Sequence, residues 1–235
     1  MTRLIVFGDL HANWEAFMAL QQAEPRPDAV LCLGDIVGYG PDPKRCLDSV
    51  RATATHIIGG WHDRAVGTDS PFNGHEGLLR STWSFSRAML SRTDREYLAT
   101  LSEVGQTVDV AGTRFHLTRL APDDQTTESQ MLITLSQTAL REQFDNIEAD
   151  IILVGGPHIP AMRQVGDKLI VCPGSLGLPY YGVPDPTFAA WEDGRLQIHH
   201  LHYHPQQTVR KLSLLPLGPE YVVRLQAILQ TGRAE

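Results

Sequence analysis

Short apolar runs that end abruptly in glycine constrain the fold of this chain more than any other feature. Three of them occupy residues 4–7, 29–33 and 151–154. Apolar runs of this length, bounded by glycine, are typical of buried β-strands. The helical patterns that alternate with such strands cover residues 13–22, 43–52, 74–103 and 134–144. This alternation predicts an α/β fold.

The second half of the chain also carries turns that are typical of β-hairpins. Residues 104–110 and 113–117 flank Ala111-Gly112. Two further pairs of segments flank Gly166-Asp167 and Glu192-Asp193-Gly194. Because early strands are joined by helices and later strands by tight turns, we expect sheets with both parallel and antiparallel neighbours.

Length and composition indicate one sizeable core. The chain has 235 residues, of which 42% are hydrophobic, and a formal net charge of −7. We therefore expect a single domain over residues 1–235. The helical pair at about residues 70–103 is predicted to form a cap-like insertion beside the site, and Thr93-Asp94-Arg95-Glu96 predicts where its second helix begins. The acidic balance argues against binding to a nucleic-acid duplex or an anionic membrane.

The remaining segments indicate the cellular setting and the association state. No run approaches the roughly 20 apolar residues of a membrane helix, and the first apolar run is too short for a signal peptide, so we expect a cytoplasmic protein. Cys32, Cys46 and Cys172 are scattered, which predicts buried, reduced thiols. The amphipathic pattern at residues 219–230 predicts a helix that packs either on the core or on another subunit, so a homo-oligomer remains open.

Side chains that bind metal ions follow several predicted strands. Asp9 and His11 follow the first apolar run, Asp35 follows the second, and His158 follows the run at residues 151–154. Side chains two positions apart after a strand can converge on one point. Carboxylates mixed with imidazoles favour manganese, iron or zinc over calcium or copper(I). The sequence therefore predicts a divalent transition-metal site.

The motifs occur in an order that carries a family resemblance. They are Gly8-Asp9-Leu10-His11, Gly34-Asp35, Gly60-Trp61-His62-Asp63, Leu117-Thr118-Arg119 and Gly155-Gly156-Pro157-His158. In this order they resemble those of the calcineurin-like metallophosphoesterases, in particular the small phosphodiesterase-like branch of bacteria and archaea. The resemblance implies two stacked mixed β-sheets flanked by helices, with the ligands on loops at one edge.

The resemblance also implies a role for each matching residue. Asp9, His11, Asp35 and His158 match the first metal site, with Asp35 at the bridging position. His62 matches the histidine that contacts the phosphate and protonates the leaving group. Asn13 matches a residue near the substrate, although an asparagine at this position is equally typical of a helix N-cap.

Three positions depart from the family pattern. Trp61, Arg119 and Gly156 stand where the family has ligands of the second metal. The resemblance thus implies one intact metal site and a degenerate second one. Arg119 is open to three interpretations: loss of the second site, a fixed positive charge that binds the substrate phosphate, or a surface charge at a strand end.

The resemblance implies a metal-dependent hydrolase of phosphate esters, with activity that the missing ligands could weaken. Gly38 and Tyr39 stand where protein phosphatases carry Asp and Arg, which favours a small phosphodiester, phosphomonoester or nucleotide over a phosphoprotein. A non-catalytic phosphate or nucleotide sensor is the main alternative, and a protein whose helical cap recruits a partner is another. Replacement ligands could come from His75, or from the row of His200, His202 and His204.

Overall fold

The computed structural model describes residues 2–68, 75–102, 105–119 and 131–233, as an alternation of strands and helices. The strands are β1 (Arg3–Phe7), β2 (Ala29–Cys32), β3 (His56–Ile57), β4 (Gln106–Val110), β5 (Thr113–Arg119), β6 (Ile151–Gly155), β7 (Ala161–Val165), β8 (Lys168–Cys172), β9 (Thr187–Glu192) and β10 (Arg195–His200). The helices are α1 (Trp14–Ala23), α2 (Pro43–Thr53), α3 (Trp61–Gly67), α4 (Gly77–Met89), α5 (Arg92–Thr100), α6 (Met131–Thr134), α7 (Gln137–Phe144), α8 (Gln206–Leu212) and α9 (Pro219–Thr231).

The strands form two mixed sheets of five strands each. The first has the order β10-β9-β1-β2-β3, with β1, β2 and β3 parallel and β9 antiparallel to both of its neighbours. The second has the order β4-β5-β6-β8-β7, with β5, β6 and β8 parallel and β4 and β7 antiparallel at its edges. The prediction of mixed sheets, parallel where helices connect the strands and antiparallel at the hairpins, is confirmed.

Alternate residues of each strand face different layers. Val6 of β1 and Leu117 of β5 belong to one buried cluster between the two sheets. Phe7 points the other way and contacts Phe17 of α1, with ring centroids 5.8 Å apart. On the outer face of the second sheet, Ile152 packs with Phe144 of α7. The period of two along a strand thus produces a helix–sheet–sheet–helix sandwich, as expected.

Two helix starts differ from the predictions. α5 begins at Arg92, because Ser91 caps it: the Ser91 hydroxyl accepts from Asp94 N at 3.1 Å, and the Asp94 carboxylate accepts from Ser91 N at 3.0 Å. The capping box predicted at Thr93 is therefore wrong by two residues. α7 begins at Gln137 rather than near residue 134, because the Ser136 hydroxyl accepts from Ala139 N at 3.1 Å. The parts of the predicted cap and hairpin at residues 70–74 and 103–104 lie outside the described ranges.

The C-terminal helix packs on its own chain. Leu225, Ile228 and Leu229 of α9 form a buried cluster with Leu178 and Leu212. The predicted packing of this helix on the core is therefore confirmed. Association with another subunit stays a prediction. Across the described ranges, no helix combines the length and apolar character that crossing a membrane requires.

Candidate metal centre

The four predicted metal ligands lie together at one edge of the sandwich, where β1, β2 and β6 end. All four have left-handed backbone conformations, with φ of 53° at Asp9, 46° at His11, 49° at Asp35 and 58° at His158. Positive φ is uncommon for residues other than glycine and is concentrated at functional sites. The strand ends are therefore bent sharply to aim these side chains at one point.

Backbone hydrogen bonds between the loops hold this geometry. Asp9 N donates to Gly34 O and His11 N donates to Asp35 O, each at 2.9 Å. The loops also approach too closely for larger residues: a Cβ at Gly60 would lie 2.1 Å from Oδ1 of Asp35. The ligand side chains are thus positioned by the fold itself.

The two imidazoles of the cluster are arranged as metal ligands. Nδ1 of His158 lies 2.8 Å from the Leu178 carbonyl, which can only accept, so Nδ1 carries the proton and Nε2 offers a lone pair. That Nε2 lies 3.1 Å from Nε2 of His11 and 3.7 Å from Oδ1 of Asp9. Two nitrogens bound to one ion at about 2.1 Å are about 3 Å apart. Asp9, His11 and His158 therefore fit one divalent metal ion.

The environment of His11 supports the same conclusion. His11 is buried, and its Nδ1 has no hydrogen-bond partner among the described residues. Burial holds the pKa of His11 well below its usual value, and the neighbouring His62 lowers it further. The neutral imidazole is the form that binds a metal.

Arg119 lies inside the site and contacts both of its carboxylates. Its Nη2 is 3.2 Å from Oδ1 of Asp9 and also contacts Oδ2 of Asp35, while its Nη1 donates to the Leu33 carbonyl at 2.7 Å. Only 6% of the side chain is exposed, so the interpretation of Arg119 as a surface charge is wrong. The Leu33 carbonyl accepts from Nη1, and both carboxylates contact Nη2. The geometry therefore does not favour the predicted bidentate contact between Arg119 and the substrate phosphate. Arg119 is an internal counter-charge.

The ion pairs affect the two carboxylates differently. Burial raises the pKa of Asp9, and the positive charge of Arg119 opposes that rise. Burial would also raise the pKa of Asp35, but Arg119 and the backbone N–H of His62 bring it below its usual value. Two carboxylates and one guanidinium leave a single net negative charge at this position. One divalent ion is readily accommodated there, whereas a second would lie beside a fixed positive charge.

His62 is oriented by a residue that the sequence did not indicate. Its backbone N donates to Oδ1 of Asp35 at 2.9 Å, and its Nδ1 accepts a 2.8 Å hydrogen bond from Nε1 of Trp83. An indole N–H can only donate, so Nδ1 is unprotonated and the neutral ring carries its proton on Nε2. Burial lowers the pKa of His62 to about 4, and Asp35 partly opposes this. His62, His11 and Asp35 each place a ligand atom within 4.8 Å of the others.

The sequence matches a known family over most of its length. Residues 2–192 match the model of the calcineurin-like phosphoesterase superfamily domain. The chain belongs to this superfamily. Its members are generally phosphoesterase hydrolases that bind divalent metals.

Individual relatives of this superfamily member are distant in sequence. The uncharacterised protein MJ0912 of Methanocaldococcus jannaschii is 24% identical over 89% of this chain and 91% of its own. A metallophosphoesterase from Sphaerobacter thermophilus is 22% identical, with 98% and 99% of the two chains covered and a TM-score of 0.76. The hypothetical protein PH1004 from Pyrococcus horikoshii is 21% identical, with 96% and 98% covered and a TM-score of 0.74. These two solved structures confirm the fold.

Asn13 has a structural role in this phosphoesterase fold. Its Oδ1 accepts from Ala16 N at 3.2 Å and from the Thr208 hydroxyl at 3.0 Å. Its Nδ2 donates to Gly177 O at 2.8 Å and to the Tyr203 hydroxyl at 3.1 Å. These four bonds use both donors of the amide and cap α1. The geometry confirms the helix cap, while a contact with the substrate stays a prediction that these bonds do not support.

The alternative histidines do not join the ligand groups within the described residues. The ring of His75 packs against Trp61 and Trp83, with centroids 5.2 Å away in each case. The side chain of His202 is 87% exposed and lies 3.5 Å from Asp185. Neither belongs to the clusters around His11. The superfamily site of this chain is therefore built from the residues of its strand-end motifs.

Proposed function

We propose that this protein is a hydrolase of small phosphate esters that uses one divalent transition metal, held by Asp9, His11 and His158 with Asp35 alongside. Arg119 serves as a fixed second positive charge. The observation that carries the proposal is the contact of Arg119 with both carboxylates beside a pair of imidazole nitrogens that remain suited to a metal.

The proposed reaction is the hydrolysis of a phosphate ester, to which the metal, Arg119 and His62 each contribute. The oxygen of a water molecule forms a bond to phosphorus as the P–O ester bond breaks. One proton of that water ends on the departing oxygen, which yields an alcohol and a phosphate. A bound metal supplies Lewis-acid chemistry, activating water and withdrawing charge from the phosphoryl group. Arg119 favours the ionised forms of Asp9 and Asp35, and its charge reduces the repulsion between these carboxylates and an approaching phosphate.

In this proposal, His62 donates a hydrogen bond to the phosphoryl group or the departing oxygen. The bond from Trp83 to its Nδ1 leaves Nε2–H as the ring's only donor in the neutral form. A general acid would need protons on both nitrogens, and the indole N–H that faces Nδ1 opposes this. The geometry thus favours a hydrogen-bond donor over the proton donor that the resemblance implies.

Metal content and turnover measured together test the proposal. We expect elemental analysis to find about one metal per chain and bis(p-nitrophenyl) phosphate to be hydrolysed only with Mn²⁺ or a similar ion. His62→Ala should lower turnover by about 100-fold and leave the metal content unchanged. His116→Ala is the matched control, because His116 bonds to Thr107 on β4 and not to the site. Two metals per chain would contradict the role of Arg119.

A phosphate or nucleotide sensor is the second candidate. Arg119 offsets one of the two carboxylate charges without a metal, and a binding protein could use this arrangement without chemistry. A sensor should bind inorganic phosphate or a nucleotide in a calorimetric titration and hydrolyse no ester with any of Mn²⁺, Fe²⁺ or Zn²⁺. Metal-dependent turnover that His62→Ala removes would exclude it.

A further inference from the structure

A small cavity opens directly beside the metal centre. It has a volume of about 270 Å³, and His62, His158 and Gly156 line its inner end. Ligand pockets commonly measure about 300–1,000 Å³, so this one has room for a single compact group and not for a protein segment or an oligonucleotide. A phosphate at the metal centre would have its ester group in this cavity.

The walls of the cavity are aromatic and held in place. Trp61, Tyr39 and Tyr180 line it together with Leu78 and Leu178. The ring of Trp61 meets Trp83 edge to face with centroids 4.9 Å apart, and the ring of Tyr39 meets His11 in the same way at 4.9 Å. Rings fixed in this manner can bind a flat ligand without losing further side-chain freedom.

The charge of the cavity favours an anion. Arg224 of α9 is exposed, lines the cavity and has neither an ion pair nor a hydrogen bond within the described residues. The described residues that line the cavity include no aspartate or glutamate. A free guanidinium beside aromatic walls matches a ligand that combines a phosphate with a flat ring.

Two departures from the family pattern contribute to this cavity. Trp61 supplies a wall where the family has an asparagine, and Gly156, with φ of 109°, leaves space where it has a histidine. Two of the positions that depart from the resemblance therefore line this cavity.

We propose that this cavity, defined by Trp61, Tyr39, Tyr180 and Arg224, binds the ester group of the substrate, and that this group is a nucleoside. The proposal rests on the proposed function, because it takes the metal centre as the site of the scissile phosphate. The base stacks on the aromatic walls, and Arg224 draws in the anionic ligand. The substrate is then a mononucleotide or a mononucleotide ester.

A matched pair of ligands isolates the contribution of the base. Adenosine 5′-monophosphate and ribose 5-phosphate have the same departing oxygen and differ by the base, and so do their methyl diesters. We expect kcat/KM with Mn²⁺ to be at least about tenfold higher for the adenosine compounds, since stacking on an aromatic side chain contributes about that much. Equal values for the two members of each pair would overturn the proposal.

Binding to metal-free protein separates this inference from the hydrolase proposal. Calorimetry should show adenosine 5′-monophosphate binding at least about tenfold more tightly than ribose 5-phosphate. Tighter binding of the adenosine ligand without any turnover would support nucleoside binding in the cavity and contradict the proposed hydrolase activity. Turnover of both esters with equal binding would support the hydrolase activity and contradict nucleoside binding.

Substitutions in the cavity test whether its walls cause the preference for the adenosine ligand. Trp61→Leu should abolish it by weakening only the adenosine ligand, whereas Trp14→Leu, at a half-buried residue that lines a different cavity, should preserve it. Tyr180→Ser, at a residue that is 39% exposed, is a second variant if Trp61→Leu fails to fold. Arg224→Gln should weaken both ligands alike. A preference that survives both Trp61→Leu and Tyr180→Ser would overturn the assignment.

Discussion

The indole nitrogen of Trp83 donates a 2.8 Å hydrogen bond to Nδ1 of His62, which joins α4 to the first turn of α3 at the metal centre. Trp83 is only 1% exposed, so the donor has little freedom to turn away. This bond fixes both the orientation of the imidazole and the nitrogen that carries its proton. Trp83 is therefore a positioning residue for His62.

Trp83→Phe should lower kcat by about 10- to 100-fold while KM and metal content stay near their wild-type values. Phenylalanine keeps most of the apolar packing but removes the N–H, so the ring of His62 can rotate or exchange tautomers. Long-range ¹H–¹⁵N NMR should show Nδ1 unprotonated in the native protein and a mixed pattern in the variant. Trp14→Phe serves as the control, and an unchanged imidazole spectrum in Trp83→Phe would contradict the positioning role.

Arg119→Ala should strongly destabilise the metal-free protein. Removing one partner of a buried ion pair costs about 3–5 kcal/mol, because the carboxylates of Asp9 and Asp35 lose their counter-charge. Arg114→Ala, on the same strand but half exposed, should cost less than about 1 kcal/mol. Urea unfolding with and without Mn²⁺ measures both effects. We expect Mn²⁺ to stabilise Arg119→Ala more than it stabilises the wild type. An equal loss of unfolding free energy in Arg119→Ala and Arg114→Ala would contradict a stabilising role for the buried ion pairs of Arg119.

The same substitution should change the pH dependence of stability. In the wild type, the pKa of Asp35 lies below its unfolded value, so its contribution is present above about pH 4 and is lost as the pH falls further. Without Arg119, burial is left to raise the pKa of both carboxyls, and their stabilising contribution is lost as the pH rises. Unfolding of metal-free protein between pH 3 and 7 tests this. As the pH falls, Arg119→Ala should gain stability relative to the wild type, because the carboxyls that have lost Arg119 become neutral. Parallel curves would rule out the coupling.

The strands and the ligands could be predicted because the information for both is local. An apolar run that ends in glycine and aspartate, as at Asp9 and Asp35, indicates a buried strand and a polar side chain at its end. The ends of neighbouring parallel strands meet at one edge, so the residues were expected to converge. The left-handed backbone at these positions was not predicted, because it depends on hydrogen bonds between separate loops.

Contacts between distant segments account for the rest of the site. Trp83 fits the apolar pattern of a helix, and nothing in its spacing indicates a bond to His62, which lies 21 residues away. The position of Arg119 remained open because a side chain at a strand end can point into the site or into solvent. Asn13 was assigned to the substrate by family resemblance, but Tyr203 and Thr208, about 190 residues later, complete its hydrogen bonds. Only the folded chain resolves these choices.

The three thiols should be inert in the native protein. Cys32, Cys46 and Cys172 are free and buried, and burial raises the pKa of each thiol. Because the thiolate is the reactive form, Ellman's reagent at pH 8 should label none of them within minutes. Three should react after unfolding in guanidinium chloride. Rapid labelling of the native protein would show that one of these core positions opens readily.

Asn13→Ala should lower stability without weakening substrate binding. The substitution removes the cap of α1 and leaves the Gly177 carbonyl without its partner, at a combined cost of about 2–3 kcal/mol. Ser136→Ala removes the exposed cap of α7 and should cost about 1 kcal/mol. Thermal unfolding measures the costs, and KM for bis(p-nitrophenyl) phosphate measures binding. A tenfold rise in KM at unchanged stability would return Asn13 to the substrate site, since a helix cap has no direct route to the bound ester.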